Sequence, residues 1–242
     1  MTRQRADLAL VARGLFESRA KAQEAIAAGL VRADGRPVRK ASEPISAQAR
    51  VEAEAPYPWV SRGGVKCAAA LDAFGFDPAG RICLDIGAST GGFTHVLLTR
   101  GAARVHAVDV GHGQLHASLR GEPRVVSMEG VDARALTAAQ LSAPPSLVVC
   151  DASFISLALA LPPALALAAP GAELAALIKP QFEVGRAHLA RGLVRDATAR
   201  ERACAAISDM LTRLGWTVVG LLPSPITGGD GNVEYLIGAR RA

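Results

Sequence analysis

Two lysines and two acids stand where a chain of alternating strands and helices can do chemistry. They are Lys66 in "SRGGVK", Asp151 in "VVCDASFISL", Lys179 in "LIKPQFE" and Glu234 in "GNVEYL". Asp151 and Lys179 each close an apolar run. A lysine ending "LAALI" is costly unless a partner holds it. Taken alone, Lys179 also reads as an ordinary lysine reaching out from a strand end. Taken with the others, it is a candidate base for a weakly acidic hydroxyl such as a ribose 2′-OH. Desolvation or a second cation makes a lysine fit for that task. Lys66 is the candidate second cation, and Asp151 and Glu234 are candidates to orient the cluster.

A second constellation is the stretch "CLDIGASTGGF", Cys83 to Phe93. Gly87, Gly91 and Gly92 lie where a strand turns into a helix, and glycine there permits a tight turn and close approach of a ligand. The spacing is G-x-x-x-G-G with Ser89 inside it, which argues against a pyrophosphate-binding loop. Asp109 follows Gly87 by 22 residues and can accept both ribose hydroxyls of an adenosine. Asp85 can face a ligand ammonium, directly or through water. An acidic, phosphate-free site suits S-adenosylmethionine, with its sulfonium and amine. These features favour a methyltransferase over a dinucleotide enzyme without excluding the latter.

The elements that must position these residues are legible from residue 81 onward. "RICLDIG", "RVHAVDVG", "SLVVCD", "ELAALIK", "WTVVGLL" and "EYLIGAR" read as strands. "GGFTHVLLTRG" and roughly residues 197–214 read as helices. The alternation predicts an α/β fold, a Rossmann-like and mostly parallel doubly wound sheet that binds ligands at its carboxyl ends. Residues 155–178 are long and apolar, but Pro162-Pro163 and Pro170-Gly171 break them. A buried helix, a turn and a buried strand explain them better than a membrane span.

The first quarter of the chain is different. Residues 1–66 hold 12 Lys/Arg against 7 Asp/Glu, whereas residues 67–242 hold 15 of each. A basic module joined to a neutral one implies an anionic polymer as partner. Within it, Leu8, Leu10, Val11 and Leu15 fit a short helix ending near Gly14. Ser18 is a candidate cap for a second helix closed by Gly29, and Asp34-Gly35 reads as a hairpin turn. The expected boundaries are a small α+β domain over 1–55, a Pro-rich linker over 56–64 with Tyr57 and Trp59 able to pack between modules, and a large domain over 65–242. Cys67, Cys83, Cys150 and Cys204 form no C-x-x-C pair and read as core residues of a cytoplasmic protein. His112 and His116 are four apart but lack a third ligand, so no metal is expected.

Residues "RADLALVARGLFESRAKAQEAIAAGLVRADGRPV" resemble the S-four-type RNA-binding module, or alpha-L motif. The resemblance implies RNA contacts for Arg5, Arg19, Lys21, Arg32, Arg36, Arg39 and Lys40, with Arg62 beyond the module. The Lys-Asp-Lys-Glu set resembles that of FtsJ-like RNA 2′-O-methyltransferases. "YPWVSRGGVK", "LDIGASTGGFTHVLL", "AVDVGHGQL", "EPRVVSMEGVDAR", "DASFISL", "LIKPQFEVGR" and "SPITGGDGNVEYL" together resemble the TlyA family of hemolysin-like ribosomal RNA cytidine 2′-O-methyltransferases. This resemblance implies a catalytic set of Lys66, Asp151, Lys179 and Glu234. It implies S-adenosylmethionine contacts from Asp85, Gly87, Ala88, Ser89, Thr90, Gly91, Gly92, Phe93, Asp109, Val110, Glu129, Asp132 and Asp151. The chain departs from the family pattern at His112, often Tyr, at Asp132, commonly Asn, and at Ala152, usually Val. The implied partner is ribosomal RNA or a ribosomal subunit, the large one first and the small one as a second candidate, for a monomer that engages no membrane. The rival readings are a ribosome assembly factor without catalysis and a membrane-active hemolysin.

Overall fold

A computed structural model describes residues 3–185 and 188–242. The chain divides into two compact units, one ending at Pro58 and the other running Trp59–Ala242. The first holds β1 (Arg3–Arg5), α1 (Ala6–Ala12), α2 (Arg19–Ala27), β2 (Val31–Ala33), β3 (Arg36–Pro37), β4 (Pro44–Ser46) and β5 (Val51–Ala53). Ser18 caps α2, its hydroxyl accepting from Lys21 N. Asp34 and Gly35 both have positive φ, as a two-residue turn between β2 and β3 requires. Leu10, Ala22, Ala25, Ile26 and Val31 form the core of this unit. Leu15 departs from expectation. Gly14, at φ +70°, turns the chain after α1, so Leu15 is 43% exposed and Phe16 is buried instead.

The second unit holds α3 (Gly63–Phe74), β6 (Ile82–Ile86), α4 (Gly92–Thr99), β7 (Arg104–Asp109), α5 (Ala117–Arg120), β8 (Val125–Glu129) and β9 (Leu147–Cys150). It continues with α6 (Leu157–Ala166), β10 (Glu173–Ile178), α7 (Pro180–Glu183), α8 (Ala197–Arg213), β11 (Trp216–Pro223) and β12 (Tyr235–Arg241). The strands make one sheet in the order β11-β12-β10-β9-β6-β7-β8. From β6 the chain winds outward to β7 and β8, then returns to lay β9 on the other side of β6. That reversal puts a crevice at the carboxyl ends of β6 and β9, where sheets of this type bind ligands. Side chains alternate across the sheet. Leu84, Ile86, Val148 and Cys150 pack on one face, and Cys83, Leu147 and Val149 on the other. Both faces are covered, so the central strands are continuous apolar runs.

Four features differ from the sequence reading or add to it. β12 runs antiparallel to β10 and β11, so the sheet is parallel only from β10 to β8. β8 was unassigned. It is an edge strand with no fully buried residue, which leaves a weak apolar signal. α6 passes through Pro162 and Pro163. The two carbonyls these prolines leave without a helical donor belong to Ala158 and Leu159, both exposed residues, so the loss falls on the solvent side of the helix. α3 begins inside the stretch read as linker, with Trp59 packed on Gly64 and Val60 N donating to His95. Among the described residues, no helix is long and apolar enough to cross a membrane.

Candidate active site

The sheet brings the four chemical residues to one edge. Asp151 follows the last residue of β9, Lys179 follows the last residue of β10, and Glu234 precedes β12, whose Tyr235 pairs with Ile178. Lys66 comes from the first turn of α3. The start of that helix lies against Asp151, since a methyl group built on Gly63 would sit 3.6 Å from Asp151 Oδ2. The cluster resolves into two ion pairs. Lys179 Nζ lies 2.7 Å from Asp151 Oδ1, and Lys66 Nζ lies 2.5 Å from Glu234 Oε2. Lys66, Lys179 and Glu234 are all buried. Lys66, read from the sequence as a second cation beside Lys179, is matched by the Glu234 carboxylate. Lys179 also donates to Ser153 Oγ at 2.6 Å and to the Asp151 carbonyl at 3.2 Å. These contacts fix Nζ in place, and Pro180 restricts the backbone that follows.

The glycine loop closes the crevice beside this cluster. Gly87 has φ +77° and packs on the backbone of Asp151 and Ala152, leaving no room for a side chain. Gly91 at φ +90° faces Leu115 and Leu119, and Gly92 faces Ser61 and the Gly64 amide. Close packing of protein on protein is thus one reason for glycine at both positions. Ala88 is buried beside Gly87, whereas Ser89 and Thr90 are exposed at the loop tip, and Phe93 is buried at the start of α4. Asp109 Oδ2 accepts from Ser89 N at 2.8 Å and Oδ1 from Gly111 N at 2.7 Å. Each oxygen keeps a lone pair for a ligand hydroxyl. Val110, next to it, is 67% exposed.

Asp85 is wholly buried on β6. Its Oδ2 accepts from Thr94 Oγ1 at 2.6 Å, and its Oδ1 is buried with no hydrogen-bond partner. Burial pushes its carboxyl up to about 7, against the Thr94 hydrogen bond and with repulsion from Asp151 and Asp109. Glu129 is engaged by protein. It accepts from the amides of Gly113, Gln114 and Leu115, so its carboxyl lies below the usual range and its role is to hold the loop after β7. Asp132 is clamped by the Arg134 guanidinium and amide, which likewise lower it. A contact from Asp132 to an adenine would have to share that clamp. His112 lies against Gly130, and His116 caps α5.

The basic residues of the first unit lie on its surface. Arg5, Arg19, Arg32, Arg36, Arg39 and Lys40 are exposed. Lys21 is half-buried and paired with Glu17. Arg62 is half-buried in the second unit, just before α3. Sequence reasoning missed Ser153, the hydroxyl beside Lys179; its signal was its place two residues after Asp151. It also missed Phe154, which has φ +64°, is 91% exposed and stands 5.3 Å from the ring of Phe182. A large side chain held exposed in that backbone region is a costly arrangement that only the tertiary structure reveals.

Comparison with known proteins shows the family. The family model described as FtsJ-like methyltransferase matches residues 59–241, and that of the S4 domain matches residues 4–51. A protein of Mycobacterium tuberculosis named 16S/23S rRNA (cytidine-2′-O)-methyltransferase TlyA is 48% identical over 98% of this chain and 90% of its own length. A rRNA methyltransferase-named protein of Bacillus subtilis, YqxC, is 42% identical over 97% of this chain and 85% of its own. A solved structure of a hemolysin-named protein from Streptococcus thermophilus superposes with a TM-score of 0.78 at 39% identity, covering 100% of this chain and 90% of that one.

Proposed function

The chain belongs to the FtsJ-like methyltransferase family and, within it, to the TlyA group, and from that premise we propose that it methylates the ribose 2′-hydroxyl of a cytidine in ribosomal RNA, using S-adenosylmethionine. The observation that carries this reading is Lys179, buried at the carboxyl end of β10 and held by Asp151 and Ser153 beside the glycine loop. The residues present fit the cofactor. Asp109 keeps acceptor capacity for ribose hydroxyls, Asp85 holds a buried oxygen without a partner, and residues 85–93 carry no Lys or Arg that would favour a phosphate. The catalytic set is Lys66, Asp151, Lys179 and Glu234. Residues 87–93, Asp85, Asp109 and Val110 line the cofactor's place, and Glu129 supports it by ordering residues 113–115.

Bound there, S-adenosylmethionine supplies an electrophilic methyl on a sulfonium sulfur. Lys179, once its own proton has passed to solvent, would take up the proton of the 2′-hydroxyl at Nζ. Asp151 and Ser153 keep Nζ in one position, which saves the lysine its rotamer freedom at the moment of reaction. Lys66 and Glu234 neutralise one another and tie the start of β12 to α3. The first unit supplies affinity for the RNA backbone. The same reading puts the protein in the cytoplasm, where ribosomal RNA is found, and takes it as a monomer.

The test is transfer of labelled methyl to purified large and small ribosomal subunits, followed by alkaline hydrolysis of the RNA. Alkali cleaves only next to a free 2′-hydroxyl, so label in alkali-stable dinucleotides containing cytidine is the expected result. Label released as mononucleotides would mean base methylation and would overturn the reading. No transfer to either subunit, with the cofactor bound, would favour an assembly factor instead.

A further inference from the structure

Asp7 is a carboxylate in the middle of a surface built of cations. It lies in the first turn of α1 and is wholly buried. Five donors from four other residues converge on it. Its Oδ1 accepts from Arg5 Nε at 3.1 Å and Leu8 N at 3.0 Å. Its Oδ2 accepts from Arg5 Nη2 at 3.0 Å, Arg19 Nη2 at 3.2 Å and Gln23 Nε2 at 2.8 Å. Arg5 comes from β1, Arg19 from the start of α2, and Gln23 from the next turn of α2. One acid thus fastens three elements at a single point. The Arg5 guanidinium holds its carboxyl well below the usual range, so it stays ionised wherever the protein is folded.

The geometry decides what the arginines can still do. Arg5 gives one edge of its planar fork, Nε and Nη2, to Asp7, so its Nη1 points away from the acid. Arg19 gives only Nη2, which leaves Nε and Nη1 for another acceptor. The two side chains remain 45% and 55% exposed. Two cations share one buried anion, so a net positive charge faces outward. A planar fork with donors left over matches the oxygens of a phosphodiester. We infer that Asp7, steadied by Gln23, is a positioning residue that presents Arg5 and Arg19 as one preformed clamp for a phosphate of the RNA backbone. The inference rests on the reading of the first unit as the RNA-binding part. Free arginines would lose rotamer freedom when they bind; arginines already docked on Asp7 have lost it in the folded protein.

The clamp makes a prediction opposite in sign to charge counting. Removing an acid from a basic surface should, by charge alone, tighten RNA binding and steepen its salt dependence. If Asp7 is a template, its loss should do the reverse. The experiment titrates the full-length chain into a fluorescein-labelled stem-loop RNA over a series of salt concentrations. Asp7→Asn should raise Kd about tenfold and flatten the slope of log Kd against log salt by about one phosphate contact. Binding of S-adenosylhomocysteine by the second unit should not change. Gln23→Met is the companion variant, because Gln23 is exposed and tolerates change, and the swap is neutral for neutral. It should raise Kd about threefold and also flatten the slope, which a neutral residue touching RNA directly would not do. Tighter or unchanged binding by a folded Asp7→Asn protein would overturn the template. Should circular dichroism show that Asp7→Asn unfolds the first unit, Gln23→Met decides: a flattened slope supports the template and an unaltered one overturns it. The double variant Arg5→Ala/Arg19→Ala separates the premise from the inference. If it binds RNA as well as the parent chain, this face is not the RNA surface at all.

Discussion

Asp85→Asn tests whether a buried carboxylate has been kept at a cost to the fold. Asp85 has no exposure, one hydrogen bond from Thr94 and one orphan oxygen, and its carboxyl is pushed up to about 7. In the unfolded chain the same group titrates near 3.9. A carboxyl raised on folding contributes stability that is fully present below its unfolded pKa and is lost as pH rises through its folded pKa. At about 1.4 kcal/mol per unit, the second unit should lose on the order of 2.5 kcal/mol through Asp85 between about pH 5 and about pH 8. The loss levels off above about pH 7, where both states are ionised. The assay is urea unfolding followed by tryptophan fluorescence. Both tryptophans, Trp59 and Trp216, lie in the second unit, so the signal reports on that unit. Parent and variant unfolding free energies are subtracted at each pH, which removes the other titrating groups. The difference should shift in favour of Asp85→Asn by about that amount as pH rises. The variant should also bind S-adenosylhomocysteine more weakly, because an amide cannot offer a charge to a ligand ammonium. A difference that stays flat with pH would refute the reasoning, since it would mean that Asp85 is ionised at low pH or solvated in the folded state.

Lys179→Ala should leave both substrates bound while the single-turnover methylation rate falls about 10²–10⁴-fold, the usual loss of a general base. Lys179→Arg should be nearly as slow because guanidinium stays protonated; a near-normal rate would show that only a positive charge is needed there. Asp109→Ala should weaken S-adenosylhomocysteine by about 1.5–3 kcal/mol in a calorimetric titration, through lost ligand hydrogen bonds and the released Ser89 and Gly111 amides. Unchanged cofactor affinity would place the ribose elsewhere. A chain reduced to residues 59–242 should keep cofactor affinity and lose tight RNA binding; RNA affinity equal to that of the full chain would refute the division of labour between the two units.

The alternation of strands and helices, the glycine-marked turn after β6, the acid ending β7 and the basic first module are all legible in the residues alone. These are local signals: apolar period, turn residues and charge run along the chain, and each is readable within a dozen residues. Asp151, Lys179 and Glu234 were also legible as types at strand ends, although 168 positions separate Glu234 from Lys66 on α3. Which of them pair was decided only by tertiary structure. Strand order places Glu234 next to β10, and α3 brings Lys66 to it, leaving Asp151 for Lys179. The same holds for Gly91 and Gly92, where one reason for glycine lies in Leu119 and Ser61, residues remote in sequence from the turn. It holds for Glu129, which local reading could only mark as an acid and whose partners, the amides of Gly113, Gln114 and Leu115, are brought to it by the fold of the loop after β7. Even Pro162-Pro163, a strong local stop signal, gave way because α6 turns the affected carbonyls to solvent. Local propensity is written in neighbouring residues, whereas the partner of a buried charge is fixed by contacts between elements far apart in the chain, and those exist only once the sheet has assembled.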